Sequence, residues 1–187
     1  MGKLKVIPIS HTIPVKLQQK IQNLIKKDLK SVLDILKIRN GPVNFDVIVS
    51  KNNEVIIVEM SPRFGGNCIP QVIKAGTGFD ELKESINIAL DQPSRYFRKN
   101  TFKPAGSRIL NSLRTGKLNY ITPKYNICSK YSKFLKELIY DYKIGEMVYK
   151  FDQGNKRIGH FVVSADSLKQ LESIIEKIDS KIKISVS

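Results

Sequence analysis

The sequence predicts an α+β fold, mainly antiparallel sheet with packed helices. Three observations carry that expectation. Two apolar runs, Val43–Ser50 and Val55–Ser61, are separated by "KNNE", a hairpin spacing. The stretch from His11 to Gly41 repeats apolar residues at helical spacing. Near the end, the strand-like runs "EMVYKF" and "RIGHFVVS" lead into the amphipathic "ADSLKQLESIIEKI".

In chain order, Leu4–Ser10 reads as a short strand whose proline suits an edge or a strand end. A long helix is then predicted from Leu17, Ile21, Leu24, Ile25, Leu29, Val32, Leu33 and Leu36, with Thr12 and Pro14 as start signals and Asn40-Gly41 as the stop. The hairpin follows, then a loop "PRFGGN", a short helix at Ile69–Lys74, and a helix over "DELKESINIAL". Ser94–Lys103 is basic, polar and aromatic, and reads as a linker or an excursion. Beyond it come strands over "GSRILNSL" and "KLNYITP", a helix around Lys130–Tyr142, the two strands and helix named above, and a last strand "KIKISVS". The predicted organisation is a first part over residues 1–92 and a second over residues 93–187.

With 187 residues the chain can bury a real core, and 41% hydrophobic against 26% charged residues marks it as globular. No apolar stretch reaches the length of a membrane span, and the N-terminus lacks a signal-peptide pattern. Cys68 and Cys128 form no metal-type cluster with His11 or His160, so the expected setting is reducing and cytoplasmic. The net charge of +15 suggests an anionic partner, but the lysines scatter without a repeating Arg/aromatic pattern, which favours the reading as solvated helix faces.

Asp46 and Glu59 are the acids in the two hairpin runs. With the turn centred on Asn52-Asn53, Asp46 falls opposite Glu59, Asn44 opposite Ser61, Phe45 opposite Met60, Val47 opposite Val58 and Val49 opposite Ile56. Alternation then gives one apolar face of Phe45, Val47, Val49, Ile56, Val58 and Met60. The other face carries Asn44, Asp46, Glu59 and Ser61 together at the open end. Opposed carboxylates destabilise a hairpin unless a proton or a cation sits between them. Hard oxygen ligands at this spacing suit Mg²⁺, which takes one or two carboxylates and leaves its other positions to water and phosphate. The competing reading is a solvated polar face in which each acid meets a lysine. Arg63 follows two residues after Ser61, placed to clamp phosphoryl oxygens or a developing oxyanion, and Gly65-Gly66 either lets backbone amides approach a ligand closely or forms an ordinary loop turn. Neither histidine has an acid partner that the sequence identifies, so both are expected to be non-catalytic.

At these residues the chain resembles the C-terminal half of ATP-grasp family ligases (carboxylate–amine ligase, biotin carboxylase-like or carbamoyl-phosphate synthase-like). The matching elements are "NGPVNFDVIV", "VIIVEMSPRFGGNCIP" and "AGTGFDELKESINIAL", in the family's order, with "GEMVYKF…NKRIGHFVVSADSLKQLESIIEKI" similar to its closing strand–strand–helix unit. The resemblance implies an ATP-grasp C-terminal lobe with Mg²⁺ (or Mn²⁺) and ATP as cofactors. Asp46, Glu59 and Ser61 would be the metal ligands, although many members have asparagine where Ser61 stands. Arg63 would be the catalytic residue at the transferred phosphate; Asn44, Gly65 and Gly66 would contact the nucleotide, and Phe64–Asn67 would lie at the acceptor's pocket. Family chemistry makes an acyl phosphate from a carboxylate and ATP, which an amine or a thiol attacks.

The family's N-terminal substrate domain and adenine-clamping lobe have no counterpart in these residues. The expected partners are therefore ATP, a small carboxylate and amine, and the missing half or subunit, with no membrane and the isolated chain inactive. The alternative is a non-catalytic basic module or remnant that pairs with a partner chain or nucleic acid. A face of Asp, Glu, Ser and Asn argues against nucleic acid, whose binding sheets present aromatics and arginine.

Overall fold

A computed structural model describes residues 7–92 and 102–187. The predicted strand residues Leu4–Val6 and most of the predicted linker lie outside the described residues. The fold is α+β with antiparallel strand pairing, as expected. Among the described residues no helix is long and apolar enough to cross a membrane.

The chain divides into two compact units. The larger comprises the described parts of Met1–Pro14, Gly66–Gly78 and Lys99–Ser187. Its main sheet has four strands: β1 (Ser10–Ile13), β4 (Ala105–Leu110), β8 (Gly159–Ser164) and β6 (Leu135–Tyr140), in that spatial order. A three-stranded sheet orders β7 (Met147–Val148), β5 (Gly116–Ile121) and β9 (Ile184–Val186). β8 is buried at every position, and successive residues feed two cores. Phe161 and Val163 join Leu110, Leu138 and the apolar stripe Leu171, Ile174 and Ile178 of α5 (Leu168–Lys181). Val162 joins Ala105 and Ile109 against Cys68 and Val72 of the α2 (Ile69–Thr77) region. α2 packs very close to the sheet: a Cβ on Gly76 would come within 2.8 Å of Lys103 O and Ile13 Cδ1, so glycine is what permits the approach. Ser167 caps α5 by accepting from Gln170 N, and an Arg108–Asp179 ion pair of 2.9 Å ties β4 to the helix.

The smaller unit, from Val15–Gly65 and the described part of Phe79–Arg98, holds α1 (Gln19–Ile35), the hairpin β2 (Asn44–Val49) and β3 (Val55–Ser61), and α3 (Glu81–Ala89). Asp80 caps α3 by accepting from Lys83 N. Among the described residues, Ile21 is the one fully buried hydrophobic side chain of this unit. A lone two-stranded sheet with so little core has marginal stability of its own.

Three sequence expectations are corrected. Thr12 does not start a helix; it pairs with Gly106 in β1, and α1 begins at Gln19 without a side-chain cap. Pairing to β4 gives His11–Ile13 a use that local start signals cannot reveal. The segment Lys130–Tyr142 is not one helix but the end of α4 (Lys124–Tyr131) followed by β6. Its register against β8 slips between Leu135 and Glu137. That bulge breaks the strand alternation and leaves Phe134, Leu135, Leu138 and Ile139 at helix-like spacing. The strand read over "EMVYKF" shrinks to Met147–Val148.

Candidate functional site

The hairpin is closed by a three-residue loop. Ser50 N donates to Glu54 O at 2.9 Å and Asn53 N to Ser50 O at 3.0 Å, and Asn53 takes φ 63°. Asparagine tolerates that left-handed position, which a three-residue hairpin loop requires. The loop sets Val49 opposite Val55, Ile48 opposite Ile56 and Val47 opposite Ile57. Val58 then bulges, and beyond it Asp46 faces Glu59, Phe45 faces Met60 and Asn44 faces Ser61. The acid pair is therefore opposed as the sequence predicts, and it is the bulge that restores this register.

The bulge also changes the faces. Phe45, Val47, Val49, Val55, Ile57 and Met60 are partly covered, whereas Ile48, Ile56 and Val58 are exposed at 56%, 49% and 58%. The predicted apolar face, with Ile56 and Val58 on it, is thus corrected. These two lie on the open face with Asp46 and Glu59, because one inserted residue moves everything turnward of it to the other side. An uncovered apolar strip therefore continues directly from the acid pair.

Asp46 and Glu59 are exposed, and Asn44 and Ser61 half-buried. Asn44 Nδ2 donates to Asp46 Oδ1 at 3.1 Å, and Ser61 Oγ donates to Glu59 Oε1 at 2.8 Å. Each acid is oriented by the neutral group two residues away on its own strand, and both present oxygen to the same side. Arg63 N donates to Ser61 O at 2.8 Å, and Arg63 Nη1 donates to Phe64 O at 2.8 Å. The guanidinium is held by its own loop. A Cβ on Gly66 would meet nothing within 4 Å, so packing alone does not demand glycine there. Among the described residues no three His, Cys, Asp or Glu side chains come together as a metal cage.

The larger unit holds a polar cluster that the sequence did not reveal. His160, 3% exposed, contacts Glu137 Oε1 through Nε2 at 2.5 Å. Register explains it: Ile139 pairs with His160, and Glu137 stands two residues along β6 on the same face. Reading residues 130–142 as helix hid this partner. His160 is nonetheless a packed strand histidine. Arg157 Nε donates to Asp141 Oδ2 at 2.8 Å, and its Nη1 lies 3.9 Å from Cys68 Sγ. Burial pushes the Cys68 thiol up to about 11, against the pull of Arg157, so it stays protonated and inert near neutral pH.

Residues 3–71 match the family model of the ATP-grasp domain. No curated protein matches the chain. Among solved structures, the phosphoribosylglycinamide synthetase of Anaerococcus prevotii superposes with a TM-score of 0.81 at 22% identity, over 97% of this chain and 46% of that one. The L-amino acid ligase of Bacillus licheniformis gives 0.82 at 18% identity, over 97% and 45%. The biotin carboxylase domain of Hydrogenobacter thermophilus 2-oxoglutarate carboxylase, solved with MgADP and bicarbonate, gives 0.71 at 13%, over 95% and 39%. The chain thus spans less than half the length of these structures. Residues 3–71 are thus similar to the ATP-grasp domain, and nearly all of the chain shares the fold of part of these ligases.

Proposed function

We propose that this chain supplies the Mg–ATP phosphate site of an ATP-grasp ligase, one that activates a carboxylate as an acyl phosphate for attack by an amine or a thiol. The single observation that carries the reading is the cross-strand pairing of Asp46 with Glu59 on the open face of the hairpin, inside the ATP-grasp match. The donor set fits the ion. Two carboxylates with a hydroxyl at Ser61 are hard oxygen ligands, and a Mg²⁺ held by so few protein groups keeps positions for phosphate oxygens. Asp46, Glu59 and Ser61 would hold it, and when bound it neutralises charge on the nucleotide phosphates.

The remaining roles belong to the chain's own groups. Asn44 orients Asp46 and offers an amide to the nucleotide. Arg63 stabilises the transferred phosphate by leaving Phe64 O for phosphoryl oxygens, a stronger, charge-assisted bond. At Gly65 and Gly66 the backbone amides approach the ligand, and the open space at Gly66 is consistent with that. The uncovered strip Ile48, Ile56 and Val58 suits cover by the nucleotide or by another lobe of the ligase. A cytoplasmic setting fits ATP-dependent chemistry.

Phosphoryl transfer depends on positioning and charge neutralisation, so one wall of the site binds without turning over. Isothermal titration should show weak Mg-ATP binding to wild type and none to Glu59→Gln. Acceptor-dependent ADP release should require a chain carrying the N-terminal lobe, and Arg63→Lys should then lose turnover through loss of the guanidinium fork. Robust turnover by the chain alone, or full activity after Glu59→Gln, refutes the assignment.

A further inference from the structure

We infer that the larger unit binds single-stranded RNA on the outward face of its three-stranded sheet, through the rings of Tyr120 and Tyr149 and the ammonium groups of Lys117 and Lys183. This face belongs to a different unit from the hairpin, and binding there does not depend on the ligase reading.

Register builds the face. Lys117 of β5 pairs with Met147 of β7, and Tyr120 of β5 with Ser185 of β9, so each pair shares one side of the sheet. All four are exposed. The alternating pairs, Gly116 with Val148 and Leu118 with Val186, are buried, and Leu118, Val148 and Val186 join the core. A bulge at Asn119 turns that residue and Tyr120 outward together. Lys150 N donates to Thr115 Oγ1 at 3.0 Å, which carries the chain after β7 on along β5. Tyr149, two residues after Met147, therefore returns to the outward side, and Lys183, two before Ser185, does the same. Tyr120 and Tyr149 are 46% and 49% exposed.

Charge and ring placement select the partner. Among the described residues, the outward positions of β5, β7 and β9 carry no Asp or Glu. Glu146, beside Met147, directs its carboxylate to the Lys143 amide at 2.8 Å. A further cation stands near the Tyr120 end: Lys124 Nζ lies 5.3 Å from the Tyr140 ring, whose hydroxyl donates to Thr122 O at 2.8 Å. Lysines that scatter along the sequence are thus gathered on one side by strand pairing. The two rings stand at opposite ends of the face, about 15 Å apart by strand rise, with Lys117 and Asn119 between them. Lysines attract the phosphates of a single strand, and each ring offers a platform on which any base can stack. An acidic protein would use the lysines and leave the rings without a role. Asn119 and Ser185 add an amide and a hydroxyl on the same side, and a 2′-hydroxyl both donates to and accepts from such groups. The acid face of the hairpin has the opposite character.

The test is fluorescence anisotropy of a labelled oligouridine of about 12 nucleotides, titrated with the 187-residue chain at about 50 mM salt. Saturable binding that weakens with salt is expected. Tyr120→Ala and Tyr149→Ala should each weaken it by about fivefold or more, and Tyr→Phe at either position should keep it. Where an alanine variant fails to fold, Tyr→Leu decides, because leucine fills the space without a flat ring. Lys117→Gln with Lys183→Gln should lower the salt slope by roughly 1.4, for two phosphate contacts. Lys169→Gln with Lys177→Gln removes the same charge from exposed positions of α5 and should leave that slope unchanged. The matching oligodeoxyuridine should bind about threefold weaker or less. No binding of the oligouridine, wild-type affinity after loss of both rings, or an equal effect of the α5 pair overturns the proposal. So does equal binding of the DNA strand, or displacement by polyglutamate as readily as by unlabelled RNA.

Discussion

Replacing Asp46 by Asn should make the hairpin more stable and, at the same time, deaf to Mg²⁺. Asp46 stands directly opposite Glu59, and both are exposed. Opposed Cβ atoms in an antiparallel pair are about 5 Å apart, and two like charges at that distance in water repel by about 1 kcal/mol. Asn removes the charge and keeps Oδ1, so the bond from Asn44 Nδ2 at 3.1 Å survives. The gain should read as roughly a fourfold increase in hydrogen-exchange protection of the β2 and β3 amides at low salt. In about 1 M salt the Debye length falls to about 3 Å, and the gain should disappear. Millimolar Mg²⁺ should reverse the order, because the wild-type pair gains a shared cation and the variant keeps half the charge. Loss of protection in Asp46→Asn at every salt concentration, or equal stabilisation of both proteins by Mg²⁺, refutes the reasoning. Either result would return the pair to an ordinary solvated face.

Glu137→Ala should cost about 1–3 kcal/mol, because it strands the buried His160 Nε2, while Glu137→Gln should recover part of that by keeping an acceptor; denaturant midpoints measure both. Phe161→Ala empties a fully buried position in β8 and should cost about 3–5 kcal/mol, read as cooperative unfolding of the larger unit at lower denaturant. Burial raises the Cys68 thiol from its ordinary 9.0 to about 11, so the folded state holds that proton more tightly. Stability tied to it is fully present below about pH 9 and lost as pH rises towards about 11, a slope that Cys68→Ala should reduce in urea midpoints measured across that window, leaving the part due to the half-buried Tyr140 hydroxyl.

What the sequence determined by itself is everything set by neighbours in the chain. The hairpin was legible because its turn and its apolar runs are local. The opposition of Asp46 to Glu59 was expected too, but the structure reaches it through a bulge, with Val47 opposite Ile57 and Val49 opposite Val55 in place of the expected Val58 and Ile56. The helices over "DELKESINIAL" and "ADSLKQLESIIEKI" were legible for the same reason as the hairpin, since helical spacing is set by near neighbours. The family resemblance rested on those local motifs, and residues 3–71 match the ATP-grasp model.

Only the tertiary structure decided the rest. Val58 bulges because a three-residue loop and the open end of the hairpin call for different registers, and that one residue placed Ile56 and Val58 beside the acids. β6 is a strand because buried β8 offers it a ladder, although its own residues favour a helix. Glu137 meets His160, and Arg157 meets Asp141, across 23 and 16 residues of chain. Such pairs carry no periodicity, because they are fixed by which strands lie side by side. Strand order follows from burying both faces of β8 at once, a demand of the whole core that no single segment records.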